Sequence, residues 1–545
     1  MLVKKQNITL WPHLNSFVKN WLQNLNPTLA SLTPYPANSH GLNNAIIAAT
    51  QHQQNYWPHR QTLSQTLVKQ YLQINVAQND VVYKQINLLQ QPNTFAIVTA
   101  HQPVLFGGPL YFIYKAISAI VLANELNTQY QSEGLQFLPV FWIGGEDHDF
   151  EEISHIRLFG KKYQWEHAPT QGATGQMPLE TLTPLVAEII AVLGNQSLHA
   201  AELANWLQKA YAPPHNLGQA TQLFLHFLFG QYGLIVLNPN EANFKAMFAN
   251  TMASEVLHQT SYKQVGKTNQ IIQQLGYTPQ AFVREVNLFE MGKHFRSRIL
   301  YNAGTKQYTL PSAPHISYSP TQLSALIEQN PQQFSPNVIM RPLYQQTILP
   351  CIAYIGGPGE VSYWLQLAEN FKAFDVFYPV VLLRDMAIWA DKQIGGKAQK
   401  LQLNPDDLWL SYPELAQKFL RKWANTEPNL LESEISNIKQ ILTNISTKAN
   451  TIDGSLATTV AAESAKIISG LEKLQEKLFK AEKRKHEIEL QQLANLHQKL
   501  YPENNLQERI DNFMPLYLQY GRSFFDYLLE NFNPTEQKVK LFVDV

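Results

Sequence analysis

Apolar residues along this chain fall into three textures. Up to about residue 90 they recur at helical spacing, broken by a loop rich in Pro, Ser and Asn near "NPTLASLTPYPANSHG". Five short, nearly unbroken apolar runs follow: "TFAIVTA", "FLPVFWIGG", "YGLIVLNP", "LPCIAYIGG" and "YPVVLLRD", each closed by Gly, Pro or polar residues and separated by helical patterns. Runs apolar on both faces are the pattern of strands buried between two layers of helices. The alternation predicts an α/β fold, a Rossmann-like doubly wound parallel sheet with helices on both faces. Between about 160 and 340 the pattern loosens. There "QVGKTNQIIQQLGY" reads as helix and "FVREVNLFEMGKHFRSRILYNAGTKQYTL" as strands turning at "NAG", so the stretch reads as insertions around one core strand, "GLIVL".

The third texture begins at Leu431. Leu431, Ile435, Ile438, Leu442, Ile445, Ala449 and Ile452 alternate at spacings of four and three, a heptad seam. "TIDGS" breaks it, and a second seam runs through Leu471, Leu474, Leu478, Ala481 and Ile488. Two heptad helices with a short break predict an antiparallel coiled-coil hairpin; the plainer alternative is one face of an ordinary helical domain. The organisation expected is a core over 1–410, a hairpin over 411–500, and a helical tail over 501–545 that returns to the core.

Composition narrows the classes. A length of 545 residues calls for two or three domains. Forty-two basic residues balance 42 acidic ones, so no general field for nucleic acid is indicated. Cys351 is the only cysteine, which excludes an internal disulfide framework and a Cys-rich zinc site and fits a reducing cytoplasm. No signal-peptide core and no membrane-spanning run is evident.

Three polar loops lie where strands should end, which is where an open α/β sheet binds its ligands. In "TAHQPVLFGGP", Gly107 and Gly108 permit a tight turn, and Pro109 opens a helix whose first N–H groups suit an anion. Tyr111 and Lys115, one turn apart, share a face there with His101 and Gln102 nearby. The plain alternative is a turn beside a solvated lysine. In "WIGGEDHDFEE", beginning at Trp142, the consecutive Glu146, Asp147, His148 and Asp149 combine carboxylates with an imidazole, which suits proton abstraction or metal binding. The plain alternative is a solvated acidic turn. In "YIGGPGEVSYW", Gly356 and Gly357 precede Glu360, which opens a helix that also carries Tyr363; upstream, Arg341 suits a carboxylate. A doubly wound topology brings the three loops together around an anionic substrate.

"TAHQPVLFGGPLYFIYKAISAIVLANEL", "FLPVFWIGGEDHDFEEISHI", "FSPNVIMRPLYQQTILPCIAYIGGPGEVSYWLQL" and "QERIDNFMPLYLQYG" resemble, in order and over essentially the whole chain, the BshC family of bacillithiol-biosynthesis cysteine ligases. The resemblance implies a Rossmann-type core with connecting-peptide insertions and a C-terminal coiled coil used for homodimerisation. It implies the last step of bacillithiol synthesis, in which the carboxyl group of cysteine is joined to the amine of glucosaminyl malate. Amide formation from a free carboxylate needs activation, so ATP with Mg²⁺ is expected. "VNLFEMGKHFR" matches the family's Asn-Leu-Phe block and places Asn287 near the site, and Arg384 ends a strand within reach of it. Two positions depart: Ala100-His101-Gln102 stands where the family typically has Gly-Gln-Gln, and Asn238 where it often has Asp. The roles expected are Asp147, His148 and Asp149 as the base cluster, with His101, Gln102, Gly107, Gly108, Tyr111, Lys115, Trp142, Glu146, Asn287, Arg341, Gly356, Gly357, Glu360, Tyr363 and Arg384 holding substrate. The partners expected are small molecules and a second copy of the chain, with neither nucleic acid nor membrane. Rival readings are a metal-dependent amide hydrolase built on Asp147, His148 and Asp149, and a non-catalytic coiled-coil scaffold.

Overall fold

The computed structural model describes residues 1–166, 172–423 and 431–544. The chain forms two compact units. The larger comprises Lys5–Ala387 and Glu508–Lys540. The smaller comprises Met1–Lys4, Ile388–Gln507 and Leu541–Val545.

The five apolar runs are the five strands of the central sheet in the larger unit: β1 (Thr94–His101), β2 (Gln136–Ile143), β3 (Ile235–Leu237), β4 (Cys351–Gly356) and β5 (Val380–Leu383). All pair in parallel, in the order β5-β4-β1-β2-β3. The chain thus builds outward through β1, β2 and β3, then returns to the other side of β1. Val98 sits in register with Val140 on one side and Tyr354 on the other. The strands are buried along almost their whole length, as runs without alternation require. Helix α1 (Leu110–Gln129) follows β1 and is buried nearly all round, from Leu110 and Phe112 to Leu126. The order reverses between β1 and β4, and this switch point opens a crevice at the carboxyl ends of those strands.

The looser middle stretch folds as the pattern implies. Thr260–Gln274 is helical, and Leu288–Gly292, Phe295–Arg298, Leu300–Asn302 and Gln307–Thr309 are antiparallel strands, with "NAG" turning the last pair. Phe334–Pro336 pairs with Leu288–Gly292. The N-terminal region is helical over Ser16–Leu22, Ser39–Tyr56, Arg60–Gln73 and Val81–Leu88, but it opens with a strand, Leu2–Asn7, that the pattern does not announce.

In the smaller unit, α2 (Glu432–Ile452) and α3 (Leu456–Lys485) form the hairpin, and α4 (Glu487–Leu500) follows. Leu431 N–H donates to Gln475 Oε1 at 3.0 Å, which pairs the start of one helix with the far half of the other. The first seam faces inward only in part: Ile435 is buried, and Leu431, Ile438, Leu442 and Ala449 are half-buried, but Ile445 and Ile452, also expected in it, are exposed. The second seam is corrected. The side of α3 turned to α2 carries Ala457, Val460, Ser464, Ile468, Leu471, Gln475 and Phe479, whereas Leu474, Leu478, Ala481 and Ile488 are exposed. The heptad count alone could not tell the inner stripe from an outer one that also holds leucines.

Candidate active site

A cavity of about 810 Å³ opens at the switch point. His101, Gln102, Tyr111, Lys115, Trp142, Glu146, Asp147, His148, Arg341, Gly357, Glu360, Tyr363 and Arg384 all line it, so the three loops converge as the topology requires.

Lys115 is the centre of the β1–β4 junction. It is 2% exposed, donates to the Ala100 carbonyl at 2.7 Å and forms an ion pair with Glu360. Burial lowers its pKa, opposed by Glu360. Glu360 also accepts from the Tyr354 hydroxyl at 2.6 Å and the Gly357 N–H at 2.8 Å. Burial works against its charge, but Lys115 and these donors hold its pKa below the usual carboxylate range. The solvated lysine of the plain alternative is excluded, and so is a free cation waiting for a ligand.

His101 Nδ1 lies 3.1 Å from the Gln102 carbonyl, which can only accept, so Nδ1 carries the proton and Nε2 accepts from the Tyr111 hydroxyl at 3.0 Å. Burial and the Lys115 charge push the His101 pKa down to about 3, and burial raises that of Tyr111 to about 12, so both are neutral. The Arg384 guanidinium lies 5.3 Å from the Tyr111 ring centre and donates to Glu508 at 2.6 Å. Arg341 is pinned by Gln345 at 2.9 Å and by the Tyr363 hydroxyl at 3.3 Å.

A second network crosses from the inserted strands to the acidic loop. Lys245, fully buried, meets Glu146 at 2.6 Å and donates to the Phe334 carbonyl at 2.8 Å. Ser335 Oγ donates to Glu146 at 2.9 Å and accepts from Arg296 Nε at 3.1 Å. Arg296 Nη1 donates to His148 Nδ1 at 3.1 Å and lies 3.8 Å from Asp147 Oδ1. Asp147 Oδ2 accepts from Gln102 at 2.8 Å. Because a guanidinium has only donors, His148 Nδ1 is an acceptor and its lone pair is taken.

Five expected residues are not among those that line the cavity: Gly107, Gly108, Asp149, Asn287 and Gly356. Gly107 and Gly108 serve packing, with φ of +78° and +53°. A Cβ on Gly108 would lie 2.5 Å from Val104, and Asn512 clamps the turn by donating to the Phe106 and Gly108 carbonyls at 3.1 and 2.7 Å. At the start of α1 the Leu110 and Phe112 N–H groups donate to the Asp511 and Pro109 carbonyls at 2.8 and 2.9 Å. Asp149 caps the Phe150–Ile153 helix by accepting from the Glu152 N–H at 3.3 Å. Asn287 is fully buried and donates to Glu255 at 3.0 Å. Asp147, His148 and Asp149 therefore present no shared ligand set, and among the described residues no group of three or more His, Cys, Asp or Glu side chains could hold a metal ion.

Glu152, Arg284, Arg296, Arg298 and Arg509, not among the residues expected from sequence, also line the cavity, and Lys245 lies behind it. Arg296 and Arg298 carried a signal, being two apart in a strand and hence on one face. Lys245 showed only as a charge inside the apolar helical run "NFKAMFAN".

A Rossmann-like α/β unit with a charged switch-point cavity, joined in one chain to a helical coiled-coil unit, is the class this molecule defines. Family models match both parts: the N-terminal Rossmann-like domain of bacillithiol biosynthesis BshC over residues 3–385, and its C-terminal coiled-coil domain over residues 387–543. The chain belongs to the BshC family. It is 36% identical over 482 residues to a Flavobacterium johnsoniae protein, covering 88% of this chain and 89% of that one. It is 35% identical over 485 residues to one from Christiangramia forsetii, covering 88% of each. A Chlorobaculum tepidum protein is 29% identical over 486 residues, covering 85% of each. All three carry the name "Putative cysteine ligase BshC".

Proposed function

We propose that this cavity joins the carboxyl group of cysteine to the amine of glucosaminyl malate. The observation that carries the reading is the imbalance of charge in the wall. Lys115 and six arginines line the cavity against four carboxylates, Glu146, Asp147, Glu152 and Glu360. Lys115 is paired with Glu360, Arg384 with Glu508, and Arg296 lies beside Asp147. Arg284, Arg298, Arg341 and Arg509 line the cavity with no carboxylate within ion-pair distance among the described residues. Unmatched guanidiniums around a concave site suit a ligand with two carboxylates, and malate supplies them. A volume of about 810 Å³ accommodates an amino-sugar malate together with cysteine.

Activation of the cysteine carboxyl calls for a phosphoryl or nucleotidyl donor, and ATP is the donor proposed. The same guanidiniums fit its phosphates. Mg²⁺ would arrive with the nucleotide and supply charge neutralisation at the phosphates. The chain's own residues do the rest: Arg341, held by Gln345 and Tyr363, orients a carboxylate, and Trp142 and Tyr344 close the floor. The exposed apolar stripe of the hairpin supports assembly as a homodimer. The absence of cysteine pairing chemistry beyond Cys351 supports a cytoplasmic setting. No helix among the described residues is long and apolar enough to cross a membrane.

The test is a mass-spectrometric assay of the purified chain with cysteine and glucosaminyl malate, with and without Mg·ATP. The expected outcome is the condensed amide only when ATP is present. Formation of free amine from an amide substrate, with no condensation, would favour the hydrolase instead.

A further inference from the structure

Resting on the ligase reading, the structure also points to which group handles the proton. An amino-sugar amine enters as an ammonium ion and must lose a proton before it can attack an acyl carbon. The cavity offers six titratable candidates, and five have their lone pairs engaged. Glu146 is held by Lys245 and Ser335. Glu360 is held by Lys115, Tyr354 and Gly357. Asp147 accepts from Gln102 and from the His148 N–H at 2.7 Å, beside Arg296. His148 accepts from Arg296 at Nδ1, and His101 is locked between a carbonyl and Tyr111. Glu152 is the sixth. It sits in the first turn of the Phe150–Ile153 helix, lines the cavity, and meets only the Gln102 side-chain amide, the group that also reaches Asp147. No ion pair or other side-chain donor satisfies its carboxylate among the described residues.

We propose that Glu152 is the base of the site, accepting a proton from the ammonium group of the amino sugar. One N–H bond breaks and one O–H bond forms on a Glu152 carboxyl oxygen, and the freed electron pair stays on nitrogen. The amine then attacks cysteine carboxyl activated as a mixed phosphoric anhydride. The phosphate leaves with the C–O bonding pair, and the second amine proton leaves with it. The surroundings suit the task. Glu152 stands at the exposed rim, and partial desolvation there raises its pKa, with Asp149 and Asp147 adding to the effect and Gln102 and Lys115 opposing it. Tyr111 faces it from α1 and stays neutral. Two carboxylates share one amide: Asp147 is fixed by Arg296 and the backbone, and Glu152 is left to exchange protons. Such a division of labour within a carboxylate pair is a recurring way to set a base.

The experiment compares the full-length wild type with Glu152→Gln, Glu152→Asp and, as a charge control, Glu151→Gln, whose residue does not line the cavity. Turnover is followed across pH by mass spectrometry, and glucosaminyl malate binding by calorimetry. Glu152→Gln should lower kcat by about 10²–10⁴-fold and lose the acid limb of the pH profile, while affinity stays within about threefold. Glu152→Asp should recover part of the rate, and Glu151→Gln should match the wild type. Wild-type kcat in Glu152→Gln at every pH would overturn the assignment, as would a loss of affinity that accounts for the whole loss of rate. If the wild type makes no amide, the ligase reading falls and the role of Glu152 falls with it; an active wild type with an unimpaired Glu152→Gln overturns the Glu152 assignment alone.

Discussion

The cavity of the larger unit and the hairpin of the smaller one place their side chains in opposite ways. In the cavity, charge lies inside and is mostly paired: Lys115 with Glu360, Lys245 with Glu146, Arg384 with Glu508. Along the hairpin, apolar groups lie outside and are unpaired, with Ile441 56% exposed and Leu474 47%. Each departs from the ordinary rule of apolar interior and polar surface, and each departure names what is missing. Burying charge is tolerated only with a partner, and the buried ones have it; the guanidiniums left over, Arg284, Arg298 and Arg509 exposed at the rim and Arg341 half-buried, face the cavity without a carboxylate and suit an anionic ligand. An apolar stripe in water is costly, so the isoleucines and leucines left over call for an apolar partner.

The largest effect is expected where that logic is strictest. Lys115→Ala takes the cation from the half-buried Glu360, leaving it the Tyr354 and Gly357 donors, so it should destabilise the larger unit by about 3 kcal/mol in urea denaturation. The double variant Lys115→Met/Glu360→Gln should recover most of that loss. A single variant within about 1 kcal/mol of wild type would show that the pair contributes little.

The hairpin allows an intermediate test. Replacing Ile441 and Leu474 with Asp puts charge on the outer stripe, removing about 1.5–3 kcal/mol of apolar burial per side chain from any dimer built on it. Light scattering should then report monomers with helix content unchanged by circular dichroism. Ile438 and Leu442 face the inner seam, so Asp there should unfold the hairpin rather than only separate copies. An unchanged mass for the outer variant would place the interface elsewhere.

A third effect concerns pH. Burial raises the pKa of Glu255, beside Asn287, to about 7. The folded chain therefore binds more protons than the unfolded chain between about 4.5 and about 7. Its contribution is favourable below that window and is lost as pH rises through it, on the order of 3 kcal/mol in all. Glu255→Gln should flatten the fall in denaturation midpoint between pH 5 and about 7.5. A slope equal to the wild type would remove Glu255 as its source.

What could be read in the sequence follows from the same contrast. The five strands were legible because burial on both faces leaves an unbroken apolar run, and the three loops because polar residues directly after such runs have few other uses. The first heptad seam was legible as far as Leu442 because a stripe buried on one side of a helix repeats at spacings of four and three. The rest depended on distance between remote segments. Lys115 looks solvated in sequence because nothing local says that Glu360, some 245 positions on, will meet it. Gly107 and Gly108 look like a ligand cradle because a backbone packed against Val104 and Asn512 has the same local signature. His148 looks like a base until Arg296, from an inserted strand, occupies its nitrogen. Leu474 and Leu478 look like seam because period alone does not say which side of a helix has a neighbour.

If guanidiniums in the switch-point cavity read the malate carboxylates of the substrate, a calorimetric cycle will show it. Glucosaminyl malate and glucosamine lacking malate would each be titrated into the wild type and into Arg341→Gln, the variant at the guanidinium that Gln345 and Tyr363 hold in place. The wild type should prefer the malate-bearing sugar, and Arg341→Gln should lose about 1.5–3 kcal/mol of that preference while binding of glucosamine is unaltered. Equal affinity of the wild type for the two sugars, or an Arg341→Gln variant with the preference intact, would contradict it.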